Sequence, residues 1–149
     1  MHEAARQWEI LLVEDNPADI RLTREALGEL QIQHRLTVAG DGLAALKYLT
    51  TEPVGEPGSR PDIILLDLNL PRMNGLEFLA VVKSSDRFKS IPVIVMSSSA
   101  AAEDVAAAYH LNANSYTQKP LEIDQFINVL QTIRSFWLET ALLPTGKPH

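Results

Sequence analysis

The sequence predicts one α/β domain, a doubly wound, five-stranded parallel sheet with helices on both faces. Short apolar runs alternate five times with amphipathic stretches at helical spacing, the order that produces parallel strands joined by right-handed helical crossovers. The central run, residues 63–66, has four apolar residues in succession, as expected for a strand buried on both faces. A chain of 149 residues is sufficient for one domain with a sizeable core.

The individual elements follow from apolar runs and from capping and turn residues. The predicted strands cover residues 9–13, 35–39, 63–66, 91–96 and 115–118. The predicted helices lie in the stretches 17–30, 43–49, 76–85, 100–111 and 123–137. Asn16 and Pro17 begin the first helix, because asparagine caps free backbone N–H groups and proline suits the first helical position. The proline- and glycine-rich stretch 52–61 predicts a surface loop.

Composition excludes several classes of protein. The chain has no cysteine, which rules out disulfides, thiolate metal sites and cysteine nucleophiles. Its net charge of −6 at pH 7 disfavours nucleic acid as a partner, because the phosphates would be repelled. No apolar run approaches the roughly 18 residues needed to span a bilayer, and residues 1–8 lack a signal-peptide core. We therefore expect a cytoplasmic protein with neither a nucleic-acid nor a membrane partner.

Chemically active side chains stand where the predicted strands end. Glu14 and Asp15 follow the first strand, Asp67 the third, Ser97 the fourth and Lys119 the fifth. The carboxyl ends of parallel strands form one edge, where ligands of such sheets bind. Carboxylates that converge there raise one another's pKa values, and Mg²⁺ relieves that repulsion with hard oxygen ligands. The set predicts phosphoryl transfer to a carboxylate, with Asp67 as nucleophile and with Lys119 and Ser97 contacting the anion.

In these motifs the chain resembles the response regulator receiver domains (CheY-like, with a flavodoxin-like fold) of two-component signalling. The resemblance covers residues 8–138 and leaves residues 139–149 as a C-terminal tail, with no output domain. The motifs that carry it are Glu14-Asp15-Asn16, Asp67, Leu70-Pro71-Arg72-Met73-Asn74-Gly75, Ser97, Tyr116 and Lys119-Pro120.

The resemblance implies a role for each strand-end acid. Asp67 is the acceptor that a histidine kinase phosphorylates. Mg²⁺ is held by Asp15, by Glu14 through water, by Asp67 and by the backbone carbonyl of Asn69. Such a domain is a phosphoacceptor rather than an enzyme, with at most slow autophosphatase activity.

The resemblance also implies how the phosphoryl group is sensed. The Ser97 hydroxyl moves toward the phosphoryl group and Lys119 pairs with it. Tyr116 is the aromatic switch residue whose ring turns inward on activation, and a cis peptide bond precedes Pro120. The alanine-rich stretch 100–111 buries little apolar area and is the candidate for the mobile element.

The last predicted helix carries more apolar surface than one packed face requires. Beyond its core stripe it has Val129, Phe136 and Trp137, which predicts an interface in a homodimer or with a downstream protein or phosphotransfer partner. The alternative is that the tail folds back on its own domain. The apolar extension and the residues around Ser97 are similar to those of regulators paired with bacterial phytochromes, so a bacteriophytochrome is the expected kinase.

Three other functions compete with this interpretation. A haloacid dehalogenase-like phosphatase would need an acid/base aspartate two residues after Asp67, where the chain has Asn69, which cannot transfer a proton. A flavodoxin-like cofactor binder would need a phosphate-binding loop where Glu14 and Asp15 would repel the ligand. A degenerate receiver would bind partners without phosphorylation, which the complete set of site residues disfavours.

Overall fold

The computed structural model describes residues 7–51 and 60–140, with side chains described as far as Trp137. Its strands are β1 (Trp8–Val13), β2 (His34–Ala39), β3 (Ile63–Leu66), β4 (Val93–Ser97) and β5 (Ser115–Gln118). They form one parallel sheet in the order β2-β1-β3-β4-β5. The predicted fold class is confirmed.

Helices connect successive strands. They are α1 (Pro17–Glu29), α2 (Gly42–Thr51), α3 (Gly75–Ser84), α4 (Ala102–His110) and α5 (Ile123–Ile133), followed by a π-helical segment, Arg134–Thr140. Helical backbone therefore extends beyond residue 137, where the sequence predicted its end. Residues 52–59 of the predicted loop and residues 141–149 of the predicted tail lie outside the described part of the chain. None of the described helices combines the length and apolarity required to cross a membrane.

The sheet separates two apolar core layers. Leu11, Val13, Ile64 and Leu66 pack with Phe78 in one layer. In the other layer, the alternate strand residues pack with α1 and α5, and its members include Ile10, Leu12, Ile63, Leu65, Leu27 and Phe126. Successive side chains of a strand point to opposite faces, so all four residues of β3 are buried.

Two helices bury less of their apolar surface than the sequence pattern suggests. Leu43 of α2 and Val81 of α3 are 50% and 43% exposed, because the buried stripes of these helices use other residues.

In α4, Ala108 is the buried residue, and no side-chain hydrogen bond caps the helix at Ala101. As the sequence predicts, α4 buries little apolar area, and its mobility stays a prediction.

Candidate functional site

Backbone hydrogen bonds continue the sheet past its strands and place two acids side by side. The Asp67 N–H donates to the Val13 carbonyl at 3.0 Å, and the Glu14 N–H donates to the Ala39 carbonyl at 2.9 Å. Glu14 and Asp67 are 3% and 6% exposed, while Asp15 beside them is exposed. The carboxyl edge of the sheet thus holds two buried carboxylates and one that faces solvent.

The three acids are close enough to share a cation. One carboxylate oxygen from each of Glu14, Asp15 and Asp67 lies within 4.8 Å of the other two. Carboxylate oxygens are the ligands that hard divalent cations prefer, so the donor set fits such an ion. The N–H of Asn69 lies 3.4 Å from Asp67 Oδ1, and the role of the Asn69 carbonyl as a metal ligand stays a prediction. Beside these acids is a cleft of about 490 Å³, lined by Leu68, Asn69, Leu70, Asn74, Leu76, Ser97 and Asp104.

Lys119 lies among the acids. Its ammonium donates to Glu14 Oε1 at 2.8 Å and to Asp19 Oδ2 at 2.9 Å, and it lies 3.4 Å from Asp67 Oδ2. The Lys119 side chain is only 9% exposed. Burial opposes its charge, but the hydrogen bonds to Glu14 and Asp19 outweigh burial and raise the pKa of Lys119. The predicted placement of Lys119 beside Asp67 is therefore seen in the structure.

One ammonium does not neutralise three carboxylates. Burial raises the pKa of Glu14 to about 7, with a further contribution from the charge of Asp67, while the hydrogen bond from Lys119 opposes the rise. A cation bound among these acids would oppose both causes of the rise, because it stabilises the ionised form of Glu14. The carboxyl edge therefore favours a second cation beside Lys119.

Asp19 is the contact that the sequence analysis missed. It lies in the first turn of α1, where the Asn16 side chain accepts hydrogen bonds from the N–H groups of Ala18 at 2.8 Å and Asp19 at 3.2 Å. The sequence signal for this contact was that Asp19 follows Glu14 and Asp15 by about one helical turn. First-turn acids commonly favour the positive end of the helix dipole, so this signal did not indicate a contact with Lys119.

The loop after Asp67 is fixed by a close backbone approach and by an ion pair. A Cβ atom at Gly75 would lie 2.3 Å from the Asp67 carbonyl oxygen, so only glycine fits there. Arg72 has a φ of 59°, and its guanidinium contacts the Asp41 carboxylate. The hydrogen bond from the Ala44 N–H, with Arg72, lowers the pKa of Asp41. These contacts fasten the loop to the start of α2.

Ser99 connects the predicted sensing residues to α4. Its N–H donates to the Ser97 hydroxyl at 3.3 Å, and its own hydroxyl donates to Asp104 Oδ2 at 2.5 Å. The Tyr116 hydroxyl donates to the Ser99 carbonyl at 2.8 Å, and the Tyr116 ring packs against the core. The Tyr116 side chain is therefore partly buried, and its hydroxyl is bound at Ser99.

The predicted cis peptide bond before Pro120 is wrong for this structure. No cis peptide occurs among the described residues, which include Lys119 and Pro120. The trans isomer is favoured by about 0.5–1 kcal/mol for a bond that precedes proline. The Lys119 N–H still donates to the Ser97 carbonyl, at 2.6 Å.

The apolar surface predicted on the last helix is partly used by the domain itself. Val129 and Trp137 pack against the core layer beneath α5. Phe136 is 52% exposed and forms an edge-to-face contact with Trp137, with ring centroids 4.9 Å apart. A groove of about 410 Å³ opens beside them, lined by Asn114, Ser115, Thr117, Val129, Thr132, Ile133, Phe136 and Trp137.

Sequence comparison identifies the class of protein that this fold and site define. A sequence model of the response regulator receiver domain matches residues 10–131. The match covers most of the chain, and the chain therefore belongs to the response regulator receiver family of two-component systems.

Comparison with individual relatives shows which response regulators this chain is similar to. Response regulator Rcp1 from Synechocystis sp. is 45% identical over 137 residues, which cover 92% of this chain and 93% of Rcp1. The structure of the phosphorylated cyanobacterial phytochrome response regulator RcpA has a TM-score of 0.85 at 44% identity and covers 93% of this chain and 99% of its own. The Mn²⁺-bound form of Rcp1 has a TM-score of 0.81 at 44% identity, with 92% and 99% covered. The chain is thus a receiver-domain response regulator similar to those of phytochromes.

Proposed function

We propose that Asp67 accepts a phosphoryl group from a histidine kinase, with Mg²⁺ held by Glu14, Asp15, Asp67 and the Asn69 carbonyl. The observation that carries this proposal is the buried Lys119 ammonium, 3.4 Å from Asp67 Oδ2, at an edge where three carboxylates can share a cation. Because the kinase draws on ATP, we also propose that the protein works in the cytoplasm.

Phosphoryl transfer to Asp67 requires a nucleophile and positive charge that neutralises the phosphoryl oxygens. An Asp67 oxygen forms a bond to phosphorus while the phosphorus–nitrogen bond to the kinase histidine breaks, and the departing imidazole takes up a proton. The cation, when bound, supplies positive charge beside the phosphoryl oxygens. Lys119 supplies a second positive charge, and the Ser97 hydroxyl donates a hydrogen bond. Asn69 cannot act as a general base toward water, which supports a phosphoacceptor with at most slow autophosphatase activity.

Acetyl phosphate tests this chemistry without a kinase. Wild type and Asp67→Asn are incubated with acetyl phosphate and Mg²⁺, and their intact masses are measured. We expect the mass of one phosphoryl group to be added to wild type and to be absent in Asp67→Asn or in the presence of EDTA. An unmodified wild type would favour a degenerate receiver that binds partners without phosphorylation.

A bacteriophytochrome is the kinase we propose upstream. The support is the similarity to the phytochrome response regulator RcpA and to the bacteriophytochrome response regulator AtBRR, which is 42% identical with a TM-score of 0.71. A radiolabelled phytochrome kinase should transfer phosphate to wild type and leave Asp67→Asn unlabelled. Labelling by an unrelated kinase but not by the phytochrome kinase would remove this assignment.

We further propose that the C-terminal face, defined by Val129 of α5 and by Phe136 and Trp137 of the π-helical segment, forms a homodimer or docks a downstream partner. Its support is the half-exposed Phe136 ring beside an open groove. Sedimentation of wild type and Phe136→Glu at micromolar concentration, with and without beryllium fluoride, tests the dimer. Leu121→Glu is the matched control, because Leu121 is 85% exposed and lies outside this face. A wild type that sediments only as a monomer would contradict the homodimer.

A further inference from the structure

Lys119 has two kinds of carboxylate partner. Glu14 and Asp67 belong to the acidic group that can hold a cation, whereas Asp19 does not. Asp19 nevertheless accepts a hydrogen bond from the Lys119 ammonium at 2.9 Å, only 0.1 Å longer than the bond to Glu14. The role of Asp19 is therefore tied to the lysine and not to the metal.

A bound divalent cation would change the balance among these partners. It attracts the carboxylates of Glu14 and Asp67 more strongly than a single ammonium does, because its charge is twice as large. Asp19 would then be the carboxylate partner left to Lys119. The Asn16 side chain caps the start of α1, and Asp19 lies in the first turn that follows. The Asp19 side chain is only 21% exposed. The ion pair is therefore partly shielded from water, which preserves its strength.

We propose that Asp19 is a positioning residue that holds the Lys119 ammonium in the unphosphorylated protein and competes for it with the phosphoryl group on Asp67. This inference rests on the proposed phosphorylation of Asp67. When the phosphoryl group arrives, the ammonium exchanges a hydrogen bond to Asp19 for one to a phosphoryl oxygen. No covalent bond changes in this exchange. Asp19 thereby lowers the affinity of the site for the phosphoryl group and favours the resting state.

Beryllium fluoride, bound with Mg²⁺ as a phosphoryl analogue, tests the exchange at equilibrium. Its dissociation constant is measured by calorimetry for wild type, Asp19→Asn, Asp19→Glu and Asp67→Asn. Asp86→Asn is the matched control, because Asp86 also pairs with a lysine, at 3.0 Å, but its side chain is 97% exposed. Measurements at about 0.05 and about 0.5 M salt separate a direct ion pair from a long-range field, which salt screens.

We expect Asp19→Asn to bind beryllium fluoride about threefold to tenfold more tightly, the effect of releasing one partly exposed charged hydrogen bond. The gain should persist at high salt, Asp19→Glu should return toward wild type, and Asp86→Asn should match wild type. A variant that merely damaged the site would bind more weakly, so tighter binding cannot come from misfolding.

Two results would overturn the inference. One is an affinity of Asp19→Asn equal to or below that of wild type, and the other is a gain that disappears at high salt. If wild type itself fails to bind beryllium fluoride, or binds it no better than Asp67→Asn, the proposed function fails instead. The two failures are thus distinguishable.

Discussion

The raised pKa of Glu14 predicts an unusual pH dependence for the stability of the metal-free protein. Its ordinary value of 4.5 rises to about 7 in the folded state. Between these two pH values the folded protein binds more protons than the unfolded chain, so the free energy of unfolding falls as pH rises. Most paired carboxylates act in the opposite direction, because folding lowers their pKa values.

The size of the effect follows from the same shift. A displacement from 4.5 to about 7 corresponds to a loss of about 3 kcal/mol across this interval. Glu14 is 3% exposed, so screening by water reduces this figure little. For a domain of this size the loss lowers the unfolding temperature by about 6–12 °C.

Thermal unfolding in EDTA, measured at intervals from pH 4.5 to 7.5, tests the prediction in wild type and Glu14→Gln. The glutamine keeps an oxygen that can accept from Lys119 but cannot ionise, so its unfolding temperature should lack the decline assigned to Glu14. Groups distant from Glu14 are the same in both proteins, so the difference between the two curves reports the loss of the Glu14 carboxyl. Adding about 10 mM Mg²⁺ should offset the decline in wild type, because the cation binds the ionised folded form. Two curves of equal slope would refute the reasoning.

Three substitutions test the packing and the connections around the site, each by urea unfolding. Gly75→Ala places a methyl group 2.3 Å from the Asp67 carbonyl oxygen. It should lower the free energy of unfolding by about 2 kcal/mol or more and weaken phosphorylation of Asp67. An unfolding free energy equal to that of wild type would show that the loop after Asp67 moves to accommodate the methyl group. Phe78→Ala removes a fully buried ring and should cost about 3–5 kcal/mol, whereas a loss below about 1 kcal/mol would contradict its place in the core. Ser99→Ala removes the donor to Asp104 and should cost about 1 kcal/mol; an unchanged stability would show that this hydrogen bond contributes nothing to α4.

The strand ends could be predicted from sequence because two constraints coincide there. Burial on both faces requires an uninterrupted apolar run, and the first polar residue after that run marks the edge of the sheet. This logic predicts the positions of Asp67, Ser97 and the pair Glu14-Asp15 from the sequence alone. It does not depend on the direction of any individual side chain.

Contacts that depend on side-chain direction could not be predicted in this way. Asp19 reaches Lys119 because the first turn of α1 faces the strand edge, and Ser99 reaches Asp104 because of the path of one loop. Leu43 is apolar yet exposed, since the packing of α2 on the sheet selects which residues are buried. The isomer of the bond before Pro120 also depends on local backbone geometry, and the resemblance to other receivers suggested the wrong one.

The helices of this small domain are anchored unequally on the sheet. Helix α5 buries Phe126 and Leu130 against the sheet, whereas α4 buries Ala108. Substitutions on the solvent side of α4 therefore remove little core contact. Such positions can acquire new recognition properties while the phosphate-receiving edge stays intact. The sequence of α4 can in this way vary on its solvent side without altering the acids and Lys119 at the strand ends.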